Sequence, residues 1–230
     1  MGQDVCEGWI MSSQIRSIDE ELARLKLPMD PAVLWQALDA LIANCADAYD
    51  FVADQGARKA RECWIASRFL MAHSKRTGRQ YEVTRLITDT PDIEYRNATQ
   101  PQTILSVEAT ELVNPNEKRN EKWLQRKQQR EACKRAGQAY EPSFQHLSQE
   151  ALEAERRTFS DMASNILNEK RWKDYGPNCT LVLYVNLWLF GDEPIREFVT
   201  AHTLPEAVRF REIWFLYNEE IIPMQYRTTD

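Results

Sequence analysis

The run from Thr180 to Phe190 constrains the fold most, because between its opening threonine and its last residue only Asn186 interrupts an apolar series. A strand that shows no polar face is of the kind covered on both sides, as in sheets with helices packed above and below. The run is too short to cross a bilayer as a helix.

The rest of the chain supplies elements for such layers. Ser17 to Leu25 reads as a short helix, with Ser17 as its cap and acids in the first turn. Pro31 suits the first position of a second helix, on which Leu34, Leu38, Leu41, Ile42, Cys45 and Tyr49 form one apolar stripe. Ala57 to His73 reads as a third, with Ile65, Phe69 and Ala72 on a common face. The period then changes. Tyr81–Ile87, Asp92–Arg96 and Thr103–Val113 read as strands, with a break at Pro91 and a turn over Asn97–Gln102, so an antiparallel meander is expected. A long helix begins near Ser148, carries Leu152, Phe159, Ala163 and Ile166 on its apolar side, and is stopped by Gly176 and Pro177. Pro194 and Pro205 open two short helical pieces. Arg211–Asn218 is a last strand, with Ile213, Phe215 and Tyr217 on one side. There is no internal repeat, and this order describes an α/β or α+β sandwich.

Composition narrows the function classes. A net charge of −6 argues against a whole surface built for polyanions, although a local basic patch remains open. Seven glycines leave no Gly-rich phosphate cradle, which excludes kinase-like and dinucleotide-binding readings. Cys6, Cys45, Cys63, Cys133 and Cys179 are scattered, without zinc or redox spacing, and read as incidental or buried thiols in a reducing compartment. His73, His146 and His202 show no ligand spacing or nucleophile partner and read as surface or packing residues. Trp35, Trp64 and Trp214 read as core. Met1 to Met11 contain Asp4 and Glu7 and lack a secretory pattern, so a cytoplasmic location without a membrane segment is the expectation.

The sharpest chemical signal is Pro91-Asp92 followed by Ser106-Val107-Glu108-Ala109-Thr110-Glu111. Side chains alternate along a strand, so Glu108 and Thr110 share one face while Leu105, Val107 and Ala109 take the other. Asp92 would lie beside Glu108 if the two strands pair. Two adjacent carboxylates repel unless a cation neutralises them, and oxygen ligands favour Mg²⁺ or Mn²⁺ over zinc. Such an ion polarises a phosphodiester and lowers the pKa of bound water. Each residue also has a plainer role: Pro-Asp is a common turn dipeptide, and Thr110 is an ordinary strand residue.

Pro91, Asp92, Glu108 and Thr110 together resemble the signature of the PD-(D/E)XK nuclease superfamily. The order of elements from about Ala57 to Phe190 is also similar. The resemblance implies a restriction-endonuclease-like α/β core, with a central mixed sheet flanked by helices. It places that core at residues 57–230, with a basic insertion at 114–147 and an N-terminal helical segment, residues 1–56, packed against it. It implies metal ligation by Asp92 and Glu108, with Glu62 as an additional acid from the preceding helix. Thr110 departs from the family, which has a catalytic lysine there. A hydroxyl can orient water but brings no positive charge. Lys170, in register with Phe159, Ala163 and Ile166, is the candidate substitute, and Lys173 is the next.

The stretch after the third strand carries Lys118, Arg119, Lys122, Trp123, Arg126, Lys127 and Arg130, a cationic series with one aromatic that suits phosphate contact and base stacking. Its plainer reading is a solvated helical face. The leading expectation is a Mg²⁺- or Mn²⁺-dependent nuclease acting on DNA or RNA. Its rivals are an inactive nuclease-fold module that binds nucleic acid or protein, and an accessory factor that binds protein alone.

Overall fold

The computed structural model describes residues 22–44, 57–87, 91–113, 119–138, 148–187, 189, 191–202 and 209–224; within 119–127, Gln125 alone has its side chain described. Ser17, Cys45, Tyr49, Lys118, His146 and the helical piece expected at Pro205 lie outside these residues, and of the first expected helix only 22–24 is described, as helix. In chain order the elements are α1 (Pro31–Asn44), α2 (Arg58–Thr77), β1 (Tyr81–Leu86), β2 (Ile93–Asn97), β3 (Gln100–Leu112), α3 (Arg119–Arg135), α4 (Gln149–Lys170), β4 (Cys179–Val185), α5 (Glu193–Ala201), β5 (Glu212–Tyr217) and β6 (Glu220–Pro223).

The strands form one open six-stranded mixed sheet in the order β1-β2-β3-β4-β5-β6. The meander β1-β2-β3 is antiparallel; β3 to β4 and β4 to β5 are parallel, and β5 to β6 is antiparallel. Parallel neighbours need long crossovers, and the segments containing α3 and α4, then α5, provide them. The chain is therefore α/β.

Strand alternation divides the core in two. On one face Leu105, Val107, Ala109, Val182, Trp214 and Leu216 pack with Leu34 and Leu38 of α1 and Ile65, Phe69 and Leu70 of α2. On the other, Leu112, Leu181, Leu183, Val185, Ile213 and Phe215 pack with Phe159 and Ala163 of α4 and Ile195 and Phe198 of α5. β4 contributes to both clusters, which is why its sequence shows no polar side. Burying one large apolar side chain contributes roughly 1.5–3 kcal/mol, so each layer of such residues outweighs the weak helix propensities of its elements.

Several boundaries differ from the sequence reading. The Asn97–Gln102 turn shrinks to Ala98-Thr99, because Asn97 Oδ1 accepts both the N–H and the hydroxyl of Thr99 at 3.0 and 2.9 Å and closes the loop at once. Strand β3 consequently starts at Gln100, and Pro101 is tolerated at its exposed outer end. Strand β4 stops at Val185, opposite Leu112, where its neighbour β3 also stops; Leu187 and Leu189 fill the core from the loop instead. Helix α4 ends at Lys170, before Gly176. Strand β6 was missed. It follows a two-residue hairpin, with Tyr217 paired to Glu220 and Asn218 held at φ 54°, the left-handed conformation that such turns require. Trp35 and Trp64 are only half-buried, while Trp214 is core. Among the described residues, no helix is long and apolar enough to cross a membrane.

Candidate active site

The site forms where the sheet is incomplete. Strand β2 pairs with β3 only as far as Ile93 opposite Val107, and the next bond runs from the Asp92 N–H to the Val107 carbonyl at 2.8 Å. Continuing that register by one residue sets Asp92 opposite Glu108. Past this point no strand among the described residues pairs with β3 on that side, and its N–H groups need another partner. The Asp92 side chain supplies it: Oδ2 accepts the Ala109 N–H at 2.7 Å. Pro91 and Asp92 lie just outside β2, which begins at Ile93.

Helices from both layers close over this open edge. A cleft of about 350 Å³ is lined by Arg58, Arg61 and Glu62 of α2, by Asp92 and Glu108–Glu111, and by Lys170 and Lys173. The alternation expected in β3 holds, since Val107 and Ala109 belong to the α2-side core and Leu112, in phase with Glu108 and Thr110, to the α4-side core. The structure thus brings Asp92, Glu108, Thr110, Lys170 and Glu62 to one cavity. Thr110 stands two residues along β3 from Glu108.

Each buried acid has a lysine. Asp92 and Glu108 are both 3% exposed. Lys59 of α2 lies 2.9 Å from Asp92 Oδ1, and Lys170 of α4 lies 2.5 Å from Glu108 Oε1. The Tyr175 hydroxyl donates to the same Glu108 oxygen at 3.3 Å, and its ring stacks on Phe210. Glu108 Oε2 is buried and has no hydrogen-bond partner among the described residues. A buried carboxylate oxygen without a protein donor is costly, so it marks a place where a cation or a donor from a ligand would be stabilised.

The electrostatics agree with crowded acids. Burial raises the Glu108 carboxyl above its ordinary value, and the Asp92 charge adds to this; Lys170 opposes both. Glu62 is raised to about 7, first by burial, then by the nearby Asp92 charge and a hydrogen bond between the two side chains, which requires a proton on one of them. Tyr175 is held above its ordinary value by burial and by the Glu108 charge, so its hydroxyl keeps its proton.

Among the described residues no three His, Cys, Asp or Glu side chains converge as a ready-made metal cluster. A Mg²⁺ site does not demand one, because that ion keeps several waters and takes one or two carboxylates plus substrate oxygens. Asp92 and Glu108, with Oε2 of Glu108 and the Glu62 carboxyl nearby, fit that looser pattern.

Of the basic series, Arg119, Lys122, Trp123, Arg126, Lys127 and Arg130 lie on helix α3. Only the Arg130 side chain is described, and it is half-buried. Lys59, Tyr175, Arg58 and Arg61 were missed in the sequence. Lys59 and Arg58 precede Glu62 by one helical turn, a spacing that places them on its face, and this signal was available. Nothing local marks Tyr175. No protein-family model, curated protein or solved structure matches the chain, so its function has to be argued from this geometry.

Proposed function

We propose that the chain is a divergent restriction-endonuclease-like protein of the PD-(D/E)XK type, and that its cleft hydrolyses phosphodiester bonds in DNA or RNA with Mg²⁺ or Mn²⁺. The observation that carries this is the placement of Asp92 against Glu108 at the open edge of β3, with Lys170 on one oxygen of Glu108 and the other oxygen unpaired. The antiparallel meander followed by a parallel fourth strand supports the same reading.

Asp92, Glu108 and Glu62 would hold the ion, which when bound supplies a polarised phosphate and a more acidic water. The remaining chemistry belongs to side chains in the cleft. Lys170 restores the positive charge that Thr110 cannot provide, and it comes from the helix facing Glu108. Its ammonium, held in the cleft at Glu108 Oε1, would stabilise charge on a phosphate bound there. Thr110 can orient a water by its hydroxyl. Arg58, Arg61 and Lys173 line the cleft and can bind flanking phosphates.

A second reading has its own observation. Lys59 and Lys170 already give both acids a counter-ion from the protein, and Asp92 caps the Ala109 N–H, so neither carboxylate depends on a metal for its charge balance. On that basis the protein would be an inactive nuclease-fold module that binds nucleic acid or a protein partner. The deciding experiment incubates purified protein with Mn²⁺ or Mg²⁺ and single- and double-stranded DNA and RNA. Cleavage that disappears in Asp92→Asn and Glu108→Gln, both folded by circular dichroism, supports the enzyme. Equal cleavage by wild type and both variants discards it, and binding without cleavage favours the module.

A further inference from the structure

Where helix α4 ends, the chain turns sharply, with the Lys173 N–H donating to the Lys170 carbonyl at 3.1 Å. This turn presents Trp172 to solvent. It is 73% exposed, and the other large hydrophobics exposed among the described residues are Val33 and Ile104. A singly exposed hydrophobic side chain is ordinary on a protein surface, so what singles out Trp172 is its surroundings. Trp172 has a definite setting. The Arg171 guanidinium lies 4.5 Å from its ring centroid, covering one face, and such exposure leaves the other open. On either side in the chain are Lys170 and Lys173, both of which line the cleft. The Cα atoms of Lys170 and Trp172 are separated by no more than about 7.5 Å, since consecutive Cα atoms are 3.8 Å apart.

We propose that Trp172 is a stacking platform for an unpaired base next to the phosphate held by the cleft, which makes single-stranded nucleic acid the preferred ligand. The inference rests on the nuclease-like reading of the cleft for the position of that phosphate. The chemistry is complementary on both counts. Arg171 and Lys173 place positive charge beside the indole, Lys173 also pairing with Glu169 at 3.2 Å, and the indole offers a π-face that any base can cover. A base inside a duplex has both faces occupied by its neighbours and cannot use the platform without unstacking. The Arg171 cation on one indole face favours this ring orientation only modestly, as expected at an exposed site.

The test measures binding in EDTA, so that cleavage plays no part. Fluorescence anisotropy with labelled oligothymidylate, oligouridylate and a blunt DNA duplex compares wild type with Trp172→Ala and Trp172→Phe, each checked by thermal melting. Trp172→Ala is expected to weaken single-strand binding by about 5- to 150-fold, the range for losing one stacked base. Trp172→Phe should retain most of the affinity, and duplex binding should change less than twofold. The two single strands then show whether the platform distinguishes DNA from RNA. Unchanged single-strand affinity in Trp172→Ala, an equal loss for duplex, or no single-strand binding by wild type at low salt overturns the inference. If Trp172→Ala loses binding while Mn²⁺ produces no cleavage, the platform stands and the enzymatic reading falls; cleavage with unchanged affinity gives the reverse.

Discussion

The Lys170 ammonium lies 2.5 Å from Glu108 Oε1, with 12% of the lysine side chain and 4% of the glutamate side chain exposed. Removing one member of such a pair leaves the other buried without compensation, which costs more than the pair itself contributes. Lys170→Met should therefore destabilise the fold by about 3 kcal/mol in urea denaturation, and Glu108→Gln by less, because Gln keeps an acceptor for Tyr175. The double variant should be more stable than Lys170→Met alone. Additive losses in the two single variants would show that the lysine and the acid do not depend on each other.

The strand that carries Glu108 was legible because alternation and an adjacent apolar face belong to the local sequence. Lys170 was legible for a similar reason, since it continues the stripe of Phe159 and Ala163 that must face the sheet. Tyr175 was not, because its contact with Glu108 bridges 67 residues and depends on where the sheet opens; Lys59 could be placed on the face of Glu62, but its pairing with Asp92, 33 residues on, could not be read. The same dependence hid the ends of β4: an apolar run records burial, and burial continues at Leu187 and Leu189 after strand pairing has ended. β6 was hidden by its charged approach, Glu219-Glu220, although Asn218 followed by Ile221-Ile222 was a usable hairpin signal.

Glu62 gives a pH signature with a defined sign. Its folded value of about 7 exceeds its ordinary 4.5, so its stabilising contribution is complete below about 4.5 and is lost as pH rises through about 7. The stability of wild type relative to Glu62→Gln should fall between pH 5 and pH 8. If Glu62 joins the ion, its proton must leave first, so Mn²⁺ should bind more tightly at pH 8 than at pH 6. Isothermal titration at both values reads this directly. A Glu62→Gln variant with the same pH dependence of Mn²⁺ affinity would remove Glu62 from the ligand set.

His73 acts with the opposite sign. Its Nδ1 lies 2.8 Å from the Tyr81 hydroxyl, its ring stacks on Phe69, and burial holds its pKa below the ordinary value despite the Glu212 charge. A histidine kept neutral in the fold but free to protonate when unfolded lowers stability as pH falls below about 6.5. His73→Phe should lose the Tyr81 contact at pH 7.5, about 1 kcal/mol, and show a shallower decline in stability toward pH 5. Parallel pH profiles for wild type and the variant would mean that His73 already protonates in the folded state.

Thr110 and Lys170 allow the strongest test of the catalytic reading. In a strand, residues two apart lie on one face at about 6.6 Å, so a lysine at position 110 would lie beside Glu108 and within the same cleft. If the role of Lys170 is to bring one positive charge to that place, its position in the chain should be exchangeable. Lys170→Ala should reduce Mn²⁺-dependent cleavage by roughly a hundredfold or more, the scale for losing one charge-stabilising group. Adding Thr110→Lys to that variant should recover part of the rate, because the ammonium returns from the strand instead of the helix. It should also recover stability, since Glu108 regains a partner. Recovery of stability without any recovery of cleavage would identify Lys170 as a structural counter-ion and would leave the catalytic charge to be supplied by another cation of the cleft.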